Sequence, residues 1–182
     1  MSALRLIDET VLTTAANKIE LTNVFSENFD IYCIEVHNTR AGTQRENNSM
    51  DMRLINSSGS EVTATNYDNE SMFARGFVDS YIELGGANRD DFALLYNDTS
   101  GQDGNGNMLM WVFNPFQSDR YTYVIYQTSS RMSYTGTTER PYTSKGISVL
   151  KQKSCITGFS FTQRSSYDIA SGTFRTFGLA VT

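Results

Sequence analysis

Little in this sequence offers chemistry. Its 182 residues hold one histidine, His37, two cysteines, Cys33 and Cys155, and two prolines, Pro115 and Pro141. A Ser-His-acid set must use His37, and no Gly-Xaa-Ser-Xaa-Gly elbow accompanies it. One histidine and two distant cysteines lack the paired spacing of a structural zinc site, so no metal and no cofactor is expected. Apolar runs long enough to cross a bilayer as a helix, about eighteen residues, are also missing. Met1 to Leu12 carries Arg5, Asp8 and Glu9, which interrupts the apolar core a signal peptide needs. The cations are scattered singly in a chain of net charge −5. A phosphate backbone or an anionic membrane surface needs them clustered, so neither is expected as a partner. Without an export signal, Cys33 and Cys155 read as buried thiols, with a disulfide between them left open by the sequence.

Two other places invite a chemical reading and resist it. Asp90-Asp91 suggests a glycosidase pair, but neighbours on a strand point to opposite faces and do not flank one bond. Asp98 to Asn107 is rich in oxygen ligands, yet its spacing is not that of an EF-hand and no glutamate closes it. It reads as a loop tip that touches a neighbour. An enzyme is therefore not expected.

What the chain does have is aromatic residues, 12% of the total, set among many Ser, Thr and Asn, with only 19% charged residues. That is the composition of strands joined by turns. Helical periodicity is absent, and segments of period two recur. Met50, Met52 and Leu54 alternate with Asp51 and Arg53; Tyr121, Tyr123 and Ile125 alternate with Val124 and Tyr126. Further strands are expected at Lys18 to Val24, Ile31 to Val36, Val62 to Tyr67, Phe77 to Leu84, Met108 to Phe113, Ile147 to Lys151, Ile156 to Thr162 and Thr173 to Val181. His37 is expected to end a strand. Asn56 to Ser60 reads as a hairpin loop, Gly85 to Asn88 as a break, both prolines as strand boundaries, and Asn69 to Ala74 as the one place for a short helix. Arg40 to Asn48 and Asn97 to Asn107 are polar loops. Roughly ten short strands in one domain over 1–182 predict an all-β, antiparallel, jelly-roll-like sandwich, with 1–14 as an arm that contacts neighbours. The strand order is not readable.

The chain resembles small β-rich virion proteins of tailed bacteriophages, especially those of marine bacteria. The resemblance rests on Val24-Phe25-Ser26-Glu27-Asn28-Phe29-Asp30-Ile31-Tyr32, on Met52-Arg53-Leu54-Ile55-Asn56-Ser57-Ser58-Gly59, and on a closing pair. That pair is Ile156-Thr157-Gly158-Phe159 with Ala170-Ser171-Gly172-Thr173-Phe174 and Phe177-Gly178-Leu179. The family often has Leu-Tyr before the final Gly, where this chain has Thr176-Phe177, a change that keeps the strand. The resemblance implies a structural part of the head or of a fibre or tail, made in the host cytoplasm and resident in the virion. Its partners would be the major capsid protein or other virion proteins, and it would form a closed homo-oligomer, a trimer by preference. It implies no catalytic residue. Arg5, Arg40, Arg45, Asp98, Asp103 and Asn105 are the expected contacts. The alternative is a tail-fibre or surface module that binds host glycans on an aromatic platform, with Trp111 as anchor beside Tyr134 and Tyr142.

Overall fold

The computed structural model describes residues 3–41, 49–76, 81–96, 106–134, 138–163 and 168–180. They form twelve strands, where the period-two segments predicted roughly ten, and no helix. In chain order these are β1 (Ala3–Leu12), β2 (Lys18–Leu21), β3 (Ile31–Ala41), β4 (Ser49–Asn56), β5 (Tyr67–Arg75) and β6 (Tyr81–Arg89). Then come β7 (Phe92–Tyr96), β8 (Gly106–Phe113), β9 (Thr122–Tyr134), β10 (Thr138–Leu150), β11 (Ile156–Gln163) and β12 (Ile169–Ala180).

Every ladder is antiparallel. One sheet has eight strands in the order β1-β12-β3-β8-β9-β10-β5-β6, and the other has four in the order β2-β11-β4-β7. Setting aside the hairpins β5-β6 and β9-β10 leaves eight strands whose pairs are first with last, second with seventh, third with sixth and fourth with fifth. That is a long hairpin rolled around itself, the jelly roll. The two hairpins are insertions, and both extend the same edge, beyond β8.

The core lies between the sheets and follows from alternation. Met50, Met52 and Leu54 of β4 are fully buried, as are Phe159 and Phe161 of β11, and Tyr32, Ile34 and Val36 of β3. The aromatic rings form a connected spine. Phe25 meets Tyr32 edge-on at 4.7 Å and Phe159 at 5.7 Å; Phe159 meets Phe161 at 5.3 Å, and Phe161 meets Phe174 of β12 at 5.7 Å. Each such pair adds about 1 kcal/mol beyond its area burial. Two buried tyrosines satisfy the backbone at the ends of the layers. The Tyr67 hydroxyl accepts from Leu54 N at 3.1 Å and donates to Val62 O at 2.9 Å. The Tyr32 hydroxyl accepts from Ser26 N at 2.7 Å and donates to Ser26 O at 2.8 Å.

The Asn56 to Ser60 turn forms as expected: Gly59 N donates to Asn56 O at 2.9 Å with Gly59 at φ 79°, and Asn56 Oδ1 accepts from Ser58 N and Ser60 N. Several expectations are corrected. Asn69 to Ala74 is not a helix but the middle of β5, because β10 and β6 pair with it on both sides. Gly85 to Asn88 does not break the chain but runs within β6, with Asn88 at φ 56°. Pro141 sits inside β10, one residue past the last β5 pair, where its carbonyl accepts from Gly76 N at 3.0 Å. His37 does not end β3, which continues past a register shift to Ala41. The segment 1–14, expected to contact neighbours, contains β1, which pairs with β12 from Ala3 to Leu12; this pairing leaves that expectation as it stands. The run read as a strand at Val62 to Tyr67 is mostly connection; only Tyr67 belongs to a strand.

Candidate functional site

The outward faces of the two sheets differ in kind. The four-stranded sheet obeys the rule for a solvated face, with alternate residues polar. Lys18 and Glu20 of β2, Ser160 and Thr162 of β11, and Asp51 and Arg53 of β4 stand side by side in register. Glu61 closes this face: its carboxylate accepts from Ser160 Oγ at 2.7 Å and lies 3.4 Å from Lys18 Nζ and 3.6 Å from Arg53. Arg53 also reaches Asp90 at 3.0 Å. Burial alone would push the Glu61 carboxyl up, but the Ser160 bond and the two cations together hold it below the usual carboxylate range.

The eight-stranded sheet does not obey that rule. One row of outward residues, in strict cross-strand register, reads Leu6, Phe177, Cys33, Trp111, Ile125, Ile147. The neighbouring row has Leu4 beside Leu179 at one end and Ile31, Phe113, Tyr123 and Val149 at the other. Leu4, Leu6, Ile125 and Ile147 are 45, 52, 46 and 46% exposed. Phe177, Trp111, Phe113, Val149 and Leu179 are half-buried. Cys33 points outward too, yet is 1% exposed, flanked in register by Phe177 and Trp111. Its burial, with Glu35 near, pushes the thiol up to about 11. Both cysteines are free thiols, Cys155 being half-buried.

The sequence explains the face. Met108-Leu109-Met110-Trp111-Val112-Phe113 is an unbroken apolar run, the pattern of a strand covered on both sides. Its inner half, Met108, Met110 and Val112, is buried in the core. Its outer half has no cover among the described residues. The rows stop at β5, where Glu70 and Asp68 take the register positions next to Ile147 and Val149. The adjacent row is mixed, with Glu9, Arg175, Glu35, Leu109, Gln127, Lys145 and Met72 in line. Part of its charge is met locally: Arg175 is paired with Glu9, and His37 lies 3.2 Å from Glu35. At the other side Lys151 meets Asp68 at 2.8 Å. Shallow depressions of about 310, 490, 370 and 210 Å³ lie on this face among the described residues, between β3 and β6. The surface is a plate with dimples rather than a cleft.

The expected site residues fall unevenly on this frame. Trp111 sits in the middle of the apolar row. Tyr142 lies on the opposite face of the sheet, buried against Phe73 at 5.6 Å, so the two do not share a platform. The alternation that turns Ile147 outward turns Tyr142 inward. Tyr134 closes β9, with its side chain outside the described part. Arg5 is exposed on β1 and Arg40 near the end of β3. Arg45, Asp98, Asp103 and Asn105 lie outside the described residues. No group of three or more His, Cys, Asp or Glu able to hold a metal occurs among the described residues. No described helix is long and apolar enough to cross a membrane. The apolar rows themselves were missed by sequence reading, although the unbroken run at β8 was visible. Comparison with protein-family models, with curated proteins and with solved structures finds no match to this chain.

Proposed function

We propose that the chain is a structural virion protein of a tailed bacteriophage, one that decorates or cements the capsid. The observation that carries this reading is the apolar face of the eight-stranded sheet, which spans six strands and has no cover among the described residues. Monomers rarely expose apolar patches beyond a few hundred Å², and larger ones mark places where another protein sits. The fold adds support, since jelly rolls build viral shells, although they also serve lectins and enzymes. The sequence resemblance supplies the virion itself.

On this reading the chain works by geometry and needs no cofactor. Copies form a closed homo-oligomer, and each copy touches the major capsid protein or its neighbours through β1 and the polar segments 40–48 and 97–107. Several weak contacts held together raise the work of separating shell subunits without any single strong one. The protein is made in the host cytoplasm and carried in the particle. The glycan-binding alternative draws less support. Trp111 stands among Phe177, Cys33 and Ile125 rather than beside carboxylates or amides, and Tyr142 is on the other side of the sheet.

Quantitative mass spectrometry of the virions whose genome encodes the chain tests the proposal. Hundreds of copies per particle are expected. A few dozen or fewer move the protein to the tail, and its absence from purified particles overturns the virion assignment.

A further inference from the structure

Resting on that reading, we infer that the apolar face of the eight-stranded sheet is closed by the same face of a second copy, across a two-fold axis. The pair would be a four-layer stack in which two jelly rolls meet back to back. Their four-stranded sheets and their β1 edges stay free for other subunits.

Three observations favour a second copy as the occupant. The first is size. From β1 to β10 five interstrand spacings of about 4.8 Å carry the rows about 24 Å across the sheet. Four outward rows, the two apolar ones, the mixed one and a row of Val11, Thr173, His37, Asn107, Ser129 and Thr143 beyond it, lie about 7 Å apart along the strands and make a footprint of roughly 650 Å² on each copy. Two such faces bury roughly 1,300 Å², which reaches the lower end of stable specific interfaces. The second is charge. A chain of net charge −5 repels its own copy unless the meeting surfaces carry little charge of one sign. On this face Arg175 is already paired with Glu9, and Lys151 with Asp68, while Glu35 and Lys145 of the mixed row carry opposite signs and the two apolar rows carry no charge at all. A partner recognised by complementary charge would find no patch of one sign on the apolar rows. The third is shape. Among the described residues the face is a continuous ladder of pleated strands with shallow depressions, and sheet faces of this kind pack on one another about 10 Å apart. A symmetric, self-complementary contact is the commonest way in which identical chains associate. It builds dimers, and even-numbered assemblies from them, in place of the trimer expected from the sequence.

The test uses the purified full chain at micromolar concentration in analytical ultracentrifugation and native mass spectrometry. The expected species is twice 20.4 kDa. Ile125→Glu and Ile147→Lys change side chains that point away from the core, so circular dichroism should remain that of the parent. Each should raise the dissociation constant at least about a hundredfold, because a charge is buried at the centre of a dry contact. Trp111, the single tryptophan, reports the same event: its emission should move to longer wavelength in both variants as water reaches it. Glu20→Gln, on the outer face of the other sheet, should leave the dimer intact. A parent chain that stays monomeric, an odd-numbered oligomer, or a dimer that survives both face substitutions overturns the inference. If either variant unfolds, Leu109→Glu on the adjacent row replaces it and must weaken the dimer. A monomer that is nonetheless abundant in particles sinks the self-contact and leaves the virion role standing; a dimer absent from particles does the reverse.

Discussion

Tyr67→Phe removes one oxygen atom and should cost the fold about 3 kcal/mol. The hydroxyl belongs to β5 in the large sheet, but its partners are Leu54 N in the small sheet and Val62 O in the connection between them. It is a staple across the two layers, and Tyr67 is 0% exposed with its ring edge-on to Phe92 at 4.4 Å. Phenylalanine keeps the ring and the packing. It leaves a buried N–H and a buried C=O without their partner, each at roughly 1–3 kcal/mol, and little room for water to replace the oxygen. At about 3 °C per kcal/mol for a chain of this size, the melting temperature should fall by about 9 °C. Burial also raises the Tyr67 pKa above its ordinary value, only partly opposed by the Leu54 bond. A raised value means that stability is complete below the unfolded-state pKa, about 10, and drains away as pH climbs through the folded one. At pH 11 the parent should therefore have lost about 1.4 kcal/mol that the variant never had, and the gap between them should narrow by that amount. Urea melts of both proteins at pH 7 and pH 11 measure all of this. A loss below about 1 kcal/mol at neutral pH, or a gap that does not narrow, would refute the staple.

Three further outcomes are expected. Gly158→Ala should destabilise by about 3 kcal/mol in urea melts, because a Cβ there would collide with the Leu21 carbonyl and stand 3.0 Å from Thr22 Cα, forcing β2 off β11; a variant as stable as the parent would show that the edge strand moves freely. Cys33 should resist a thiol reagent at pH 8 that modifies Cys155, since burial raises the pKa of both but Cys33 is the more enclosed, and equal labelling rates in the native protein would contradict this. Glu61→Gln should weaken the fold at neutral pH but not in acid. The lowered folded-state pKa means that the Glu61 contribution is present above the unfolded value of about 4.5 and lost as pH falls through the folded one, so parent and variant melts that differ equally at pH 7 and pH 2 would speak against the ion cluster.

The legible parts of the fold were those where one face alone is buried. Met50 to Leu54 alternates cleanly because its outer residues are solvated, and its burial follows the pattern residue by residue. β5 was illegible for the opposite reason. Its inward residues include Asn69 and Ser71 and its outward ones Glu70 and Met72, so no apolar period survives, and its strand character comes from β10 and β6 on either side. Gly85 and Gly86 read as a break because glycine weakens strands. Here the missing side chains admit the Glu70 carboxylate over Gly85 and bring Arg89 Cδ to where a Gly86 Cβ would be, at 2.7 Å. The candidate surface was half visible. The unbroken run of β8 shows that both its sides want cover, but which side the protein itself covers depends on strand order, which no local pattern encodes.

That dependence also explains why the face is where it is. An eight-strand jelly roll divides its strands equally, and each sheet shields the inner face of the other. The insertions β5-β6 and β9-β10 break this balance, since all four of their strands join one sheet. Their inner side is served by the β7 end of the small sheet, where Tyr67 packs on Phe92, and by a local cluster of Phe73, Tyr142 and Ile82. Their outer side extends the apolar rows of the roll from β8 onto β9 and β10, through Tyr123, Ile125, Ile147 and Val149. β5 and β6 then end the rows with Asp68, Glu70 and Glu83. The insertions thus enlarge the apolar face and supply its charged boundary. Deleting β9 and β10 in thought leaves rows of four strands, too narrow for a stable contact, so the extra hairpin turns an ordinary sandwich surface into one large enough to hold a partner.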